Sequence, residues 1–281
     1  LVLMAYIDDA SNRVFARFYD YEGTRPAFDS FARYVRRYGL PQAVYVDRHT
    51  TYRSTAKPTV EDELANRLPQ SQFERALAAL GVQVIPAFSP QAKGRVERLF
   101  GILQDRLVKE LRLVGATTRE QANRFLTTYL PRFNRWFQRV PMQPTDLHRP
   151  PPPEAVLRRH LAIRHTRTLR RDNTIRHDAT WYLIETPWPG RRPKTVQLEA
   201  RLDGQLYLLA GDRPLRYRAV EERPRAVVAP RPRRRRQPPP PEHPWRAFRL
   251  PGSARPRLPL PQPNHQRTLL PCTKADISKL R

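Results

Sequence analysis

Between Phe88 and Leu113, apolar residues return every three or four positions, at Val96, Leu99, Phe100, Leu103, Leu107 and Leu111. That spacing predicts one long amphipathic helix whose apolar face packs on a sheet, with Ser89-Pro90 as its entry. Thr24 to Tyr38 sets Phe28, Phe31, Ala32 and Val35 against Arg33, Arg36 and Arg37, with Gly39 to close the helix and Pro41 to prevent its restart. Ser71 to Leu80 reads as a third helix, stopped by Gly81. Thr118 to Arg139 reads as a fourth, with Ala122, Phe125, Leu126, Tyr129, Phe133 and Trp136 on one side and a kink expected at Pro131. The runs Leu1 to Ile7 and Arg13 to Tyr19 predict an antiparallel hairpin around a polar turn, while Ala43 to Val46 and Val82 to Ile85 predict short buried strands. From Ala43 onward the order strand, helix, strand, helix is that of an α/β domain, placed at residues 1–149.

The second half follows a different rhythm. Prolines at 141, 144 and 150–153 mark a boundary and predict a stiff linker over residues 150–169. Residues 170–222 alternate apolar and polar in short runs with glycine-containing turns, which predicts a small β-barrel-like domain with Trp181 and Trp188 in its core. Residues 223–281 hold 14 of the 31 prolines and the run Arg233, Arg234, Arg235 and Arg236, so this tail is expected to be mostly disordered. Within the first domain, the polar stretch Lys57 to Pro69 reads as an insertion.

Charge narrows the class of partner. Lys and Arg outnumber Asp and Glu by 52 to 26, a formal net charge of +26 across 281 residues, and the excess is concentrated after residue 150. Such a surplus points to a polyanion, nucleic acid before membrane, because no apolar stretch is long enough to span a bilayer. Cys272 is the only cysteine, which excludes an intramolecular disulfide and a Cys-based zinc cluster and fits a reducing compartment. The chain opens at Leu1 inside an apolar run, so a truncation at its N-terminus is expected.

Two carboxylates stand out by position. Asp47 follows a strand at its C-terminal end, where ligands collect in open α/β sheets. Glu97 lies near the start of the long helix among Lys93, Arg95 and Arg98. Brought together, such acids suit Mg²⁺, a hard ion that takes carboxylate oxygens and leaves positions for water and phosphate. A pair of ions supports phosphoryl transfer and calls for a third carboxylate. Asp8 and Asp9, at the tip of the hairpin, read first as turn formers and only second as that missing acid.

The segments YIDDASNRVFARFY, YVDRHTTY and SPQAKGRVERLFGILQDRL resemble the catalytic core of the DDE transposase and retroviral-integrase family, within it the bacterial insertion-sequence transposases of the ISNCY type. The resemblance implies a ribonuclease H-like fold over residues 1–149 whose first strand, with the first catalytic Asp, lies upstream of Leu1. It implies Asp47 and Glu97 as catalytic and metal-holding residues, with two Mg²⁺ or Mn²⁺ ions as cofactor. It implies DNA as partner, both transposon ends and target, for which Lys93, Arg95, Arg98 and the Arg233–Arg236 run are the candidate phosphate contacts, with solvated surface charge as the alternative. Transposon-end nicking and strand transfer, self-association and a cytoplasmic, nucleoid-associated location complete the expectation. A non-catalytic DNA-binding remnant and a ribonuclease H-like nuclease are the competing readings.

Overall fold

The computed structural model describes residues 1–223, except Arg48, Thr59, Ala65, Arg67, Phe88 and Ser89, together with Pro241, Glu242 and Pro244. The chain divides into the units Leu1–Ala226 and Val227–Arg281, and every element below belongs to the first. The expected disordered tail and its Arg233–Arg236 run lie outside the described residues.

Strands β1 (Val2–Ile7) and β2 (Val14–Tyr19) form the predicted antiparallel hairpin, with Val2 opposite Tyr19 and Ile7 opposite Val14. Met4, Tyr6, Phe15 and Tyr19 face one way; Leu3, Ala5, Ile7, Val14 and Ala16 face the other. The run is continuously apolar because both faces are covered.

On the first face lies α1 (Thr24–Tyr38), with Phe28, Phe31, Ala32 and Val35 buried as their spacing requires. Gly39 ends it at a φ of 95°, and its N–H donates to the Val35 carbonyl at 2.8 Å. A side chain at Gly39 would meet the Arg149 carbonyl oxygen at 2.5 Å, so glycine is required there twice over. Next come β3 (Ala43–Val46), the short α2 (Val60–Leu64), α3 (Gln72–Ala79) and β4 (Gln83–Pro86). β3 and β4 pair in parallel across the α3 crossover. The second face of the hairpin is covered by α4 (Pro90–Leu113) and α5 (Arg119–Phe137). There Leu99, Leu103, Leu107, Leu126, Tyr129 and Phe133 are buried with Val14 and Ala16. Val96 departs from the predicted apolar face: it is 37% exposed, because the face meets the hairpin only from Leu99 onward. Pro131 lies inside α5.

The two ribbons are separate sheets, β1–β2 and β3–β4, with no strand pairing between them among the described residues. Both nevertheless rest on α1, since Met4, Tyr19 and Val46 share one buried cluster with its apolar face and with Phe73 and Leu77 of α3.

Beyond residue 150 two expectations need correction. The stretch 150–169 is not wholly a linker, for it carries α6 (Glu154–His160) and β5 (Ile163–Thr168). Leu157 and Leu161, four residues apart, anchor α6 in the same cluster as α1 and so override the preceding prolines. Nor do the following strands close a barrel. β6 (Thr174–His177), β7 (Thr180–Ile184), β8 (Thr195–Ala200), β9 (Leu206–Ala210), β10 (Arg213–Leu215) and β11 (Tyr217–Val220) join β5 in two sheets, ordered β10-β9-β8-β5 and β11-β7-β6. A shared core of Leu169, Ile175, Ile184, Val196, Leu198, Leu208 and Leu215 holds them, so packing replaces the hydrogen bonds that closure would need. Trp188 packs against this core, whereas Trp181 stands outside it.

Candidate active site

Asp47 follows β3 directly. Its Oδ1 accepts the main-chain N–H of His49 at 3.1 Å, a local turn that starts the polar loop. The loop is fixed further along by Tyr52, whose ring meets Phe73 edge-on at 5.2 Å between centroids and whose carbonyl accepts the Ser71 hydroxyl at 3.0 Å. Burial pushes the Tyr52 phenol up, with the charges of Tyr6, Glu22 and Asp47 adding to the effect, so it stays protonated. Ser71 and Glu74 form a reciprocal capping box on α3, and the same Glu74 carboxylate accepts the Ser54 N–H at 3.1 Å. One helix start thus positions the loop that leaves Asp47. His49 sits beside Thr51, at 3.1 Å from its hydroxyl, and 3.6 Å from the Glu22 carboxylate.

The approach to Glu97 begins next to Asp47. The N–H of Ala87, just past β4, donates to the carbonyl of Val46 at 2.8 Å, so the chain enters α4 from the end of β3. Asp47 and Glu97 are both exposed, and neither carboxylate has a cationic partner among the described residues. Of the bases predicted around Glu97, Arg98 is exposed and the Lys93 side chain lies outside the described residues. Arg95 is engaged: it pairs with the Asp9 carboxylate at 2.6 Å and with the Asp9 carbonyl, tying the hairpin tip to α4.

Asp8 is a turn residue. Its carboxylate accepts both the main-chain N–H of Ser11, at 2.9 Å, and the Ser11 hydroxyl, and its own N–H donates to Arg13 at 2.8 Å. Among the described residues no three His, Cys, Asp or Glu side chains gather in a way that could hold a metal ion. Asp47 and Glu97 each offer carboxylate oxygens of the kind a hard cation takes. The role of Tyr52 in fixing the loop was not read from the sequence. Its signal was a bulky aromatic five residues beyond Asp47 in an otherwise polar stretch.

The fold is that of a mixed α/β protein followed by two packed antiparallel sheets, and no family model matches the chain. Its sequence is similar to y4bF of Sinorhizobium fredii, a protein assigned as a transposase, at 38% identity over 149 residues, or 53% of this chain and 32% of that protein. It is also 35% identical over 134 residues to the transposase for insertion sequence IS1202 of Streptococcus pneumoniae, covering 47% of this chain and 28% of the relative. These relationships make the chain similar to transposases over about half of its length. It spans about a third of the length of the curated relatives it matches. Among solved structures it is similar to the simian T-cell lymphotropic virus intasome in complex with PP2A regulatory subunit B56 gamma. That likeness has a TM-score of 0.39 at 17% identity, covering 76% of this chain and 71% of the other, which is too slight to define the fold. No helix among the described residues is long and apolar enough to cross a membrane.

Proposed function

We propose that this chain is the catalytic part of a DDE-type DNA transposase with a ribonuclease H-like core, acting on transposon ends and target DNA. The observation that carries the reading is the pair of exposed carboxylates without a cationic partner among the described residues, Asp47 at the end of β3 and Glu97 on the helix entered from that same strand end. Similarity to two transposases over about half of the chain supports it. Asp47 and Glu97 would hold divalent Mg²⁺ or Mn²⁺. When bound, two such ions supply the Lewis acidity that activates an attacking hydroxyl and stabilises the leaving oxygen in phosphoryl transfer. The loop fixed by Tyr52 and Glu74 would keep Asp47 pointed at the reacting phosphate, and Arg98 would meet the DNA backbone.

The third carboxylate is proposed to come on a further strand, seated along the unpaired sides of β1 and β3. Both strands rest on α1 and neither has a hydrogen-bonded neighbour on its second side among the described residues. A non-catalytic DNA-binding role is the second reading, favoured by the lack of a three-carboxylate cluster among those residues. The test uses the parent protein in a strand-transfer assay. Asp47→Asn and Glu97→Gln should each lower the rate by more than the roughly 100-fold that loss of an outer-shell metal partner costs, with DNA binding retained. Strand transfer at the wild-type rate in either variant would remove that residue from the active site.

A further inference from the structure

We propose that the outer face of the β6–β7–β11 sheet, centred on Trp181, Arg170 and Arg176, binds the phosphate backbone of duplex DNA. The proposal rests on the DNA-handling reading above and assigns it a second surface, away from the carboxylates. Strand register supplies the geometry. Arg176 pairs with Trp181 across β6 and β7, and Trp181 with Val220 across β7 and β11, forming one row. Their neighbours Ile175 and Tyr182 pair in the next row and face the sheet core. Trp181 is therefore on the side opposite the core, half-buried by what lies over it.

Two guanidinium groups lie there, Arg170 with its Cζ 5.0 Å from the Trp181 ring centroid and Arg176 at 5.6 Å. Stacking occupies the flat faces of a guanidinium and leaves its N–H edge free to donate, the edge that grips phosphate oxygens in pairs. Arg170 and Arg176 are exposed, and neither guanidinium has an ion pair or hydrogen bond among the described residues. Their neighbours behave differently: Arg218 is paired with Glu185 at 3.3 Å and Arg223 with Asp172 at 2.6 Å. Those two acids are thus spent on other arginines, while the two arginines over the indole are held beside it with no carboxylate partner among the described residues.

Residues 161–223 carry 13 Lys and Arg against 8 Asp and Glu, so the wider field also favours an anion. With the indole already covered by two arginines, the surface offers phosphate contacts more than base stacking. Its binding should be indifferent to sequence.

The test is fluorescence anisotropy of the 281-residue chain with a labelled 30-base-pair duplex across a salt series. Arg170→Gln with Arg176→Gln should weaken binding about 10-fold at moderate salt and flatten the slope of log affinity against log salt by about 2. Arg191→Gln with Arg213→Gln removes the same charge from elsewhere and should change the slope less. Arg170→Lys with Arg176→Lys should restore most of the slope, which guards against a folding artefact, as do unchanged circular dichroism and melting. A Gln pair with wild-type slope, or one no worse than the control pair, overturns the proposal while leaving the transposase reading intact. No binding of the wild-type chain to any duplex would sink both. Tighter binding to poly-glutamate than to DNA would overturn the proposal in favour of an acidic protein partner.

Discussion

Strand edges in this molecule are of two kinds. On the free side of β2, α5 presents two asparagines: Asn134 accepts the Val14 N–H at 2.8 Å and donates to the Val14 carbonyl at 2.9 Å, and Asn123 does the same to Phe18 at 2.9 and 3.0 Å. Eleven helical residues rise about 16 Å, and four strand residues about 13 Å, so two amides on one helix can reach two peptide groups of one strand. Gln72 of α3 repeats the device on β5, accepting the Arg164 N–H at 3.0 Å and donating to its carbonyl at 2.8 Å. The free sides of β1, β3 and β4 meet no such amide among the described residues. A side-chain amide offers the same donor and acceptor as a peptide, so it finishes a sheet that needs no further strand. The sealed edges mark where the fold is complete. The open edges of β3 and β1 run toward Asp47 and the hairpin tip, which is why a strand proposed between β1 and β3 would also be the one to deliver an acid.

The sharpest way to break this comparison is to unseal β2. Asn123→Leu with Asn134→Leu leaves partly buried peptide groups of Val14 and Phe18 unpaired, at about 1–3 kcal/mol for each site. Urea unfolding should show a loss of roughly 3–5 kcal/mol for the pair, and a loss under about 1 kcal/mol would mean that water substitutes freely and sealing has no energetic content. Gln72→Leu tests the same device with a single amide and should cost less, about 1–2 kcal/mol. Hydrogen exchange should then rise at Arg164 and stay unchanged at Val14; protection at Arg164 equal to wild type would remove Gln72 from that role.

Much of the first 150 residues could be read from the sequence because periodicity and burial agree there. The hairpin and α1 bury the residues whose spacing predicts them, α4 does so from Leu99 onward, and Asp8 is a turn former as its place at the hairpin tip predicts. What escaped were features in which one residue type serves an unusual partner. Asn123 and Asn134 look like ordinary polar positions on an amphipathic helix, and nothing local says that each completes a strand 105 or 120 residues away. Prolines 150–153 read as a spacer, although Leu157 and Leu161 bind the following turn into the core. Trp181 is expected in a barrel interior, whereas alternation along Thr180–Ile184 gives Tyr182 and Ile184 to the core and leaves Trp181 on the other side. In the candidate site, the positions of Asp47 and Glu97 relative to strand and helix were readable. The Arg95–Asp9 pair was not, because it joins residues 86 positions apart.

The smallest effect separates sealing by amides from fastening by charge. Glu154, at the start of α6, accepts from Arg36 of α1 at 3.0 and 2.7 Å and from Arg158 at 2.8 Å. The Arg36 hydrogen bonds first, and then Arg158, hold its carboxyl down from 4.5 to about 2. A carboxyl held low in the folded state stabilises it fully above the unfolded value near 4.5 and loses that contribution as pH falls toward 2. Because the pair is exposed, solvent screens it, and Glu154→Gln should cost only about 0.5–1 kcal/mol at neutral pH. The difference from wild type should vanish near pH 2 and shrink in high salt. The deficit of the Asn123/Asn134 variant, measured over the same pH range, should stay flat, since no amide titrates there. A Glu154→Gln deficit that survived to pH 2 would show that α6 is held by packing of Leu157 and Leu161 with no help from charge. A pH-dependent deficit in the asparagine variant would show that the β2 edge is coupled to a titrating group, and that the two kinds of fastening are not separate.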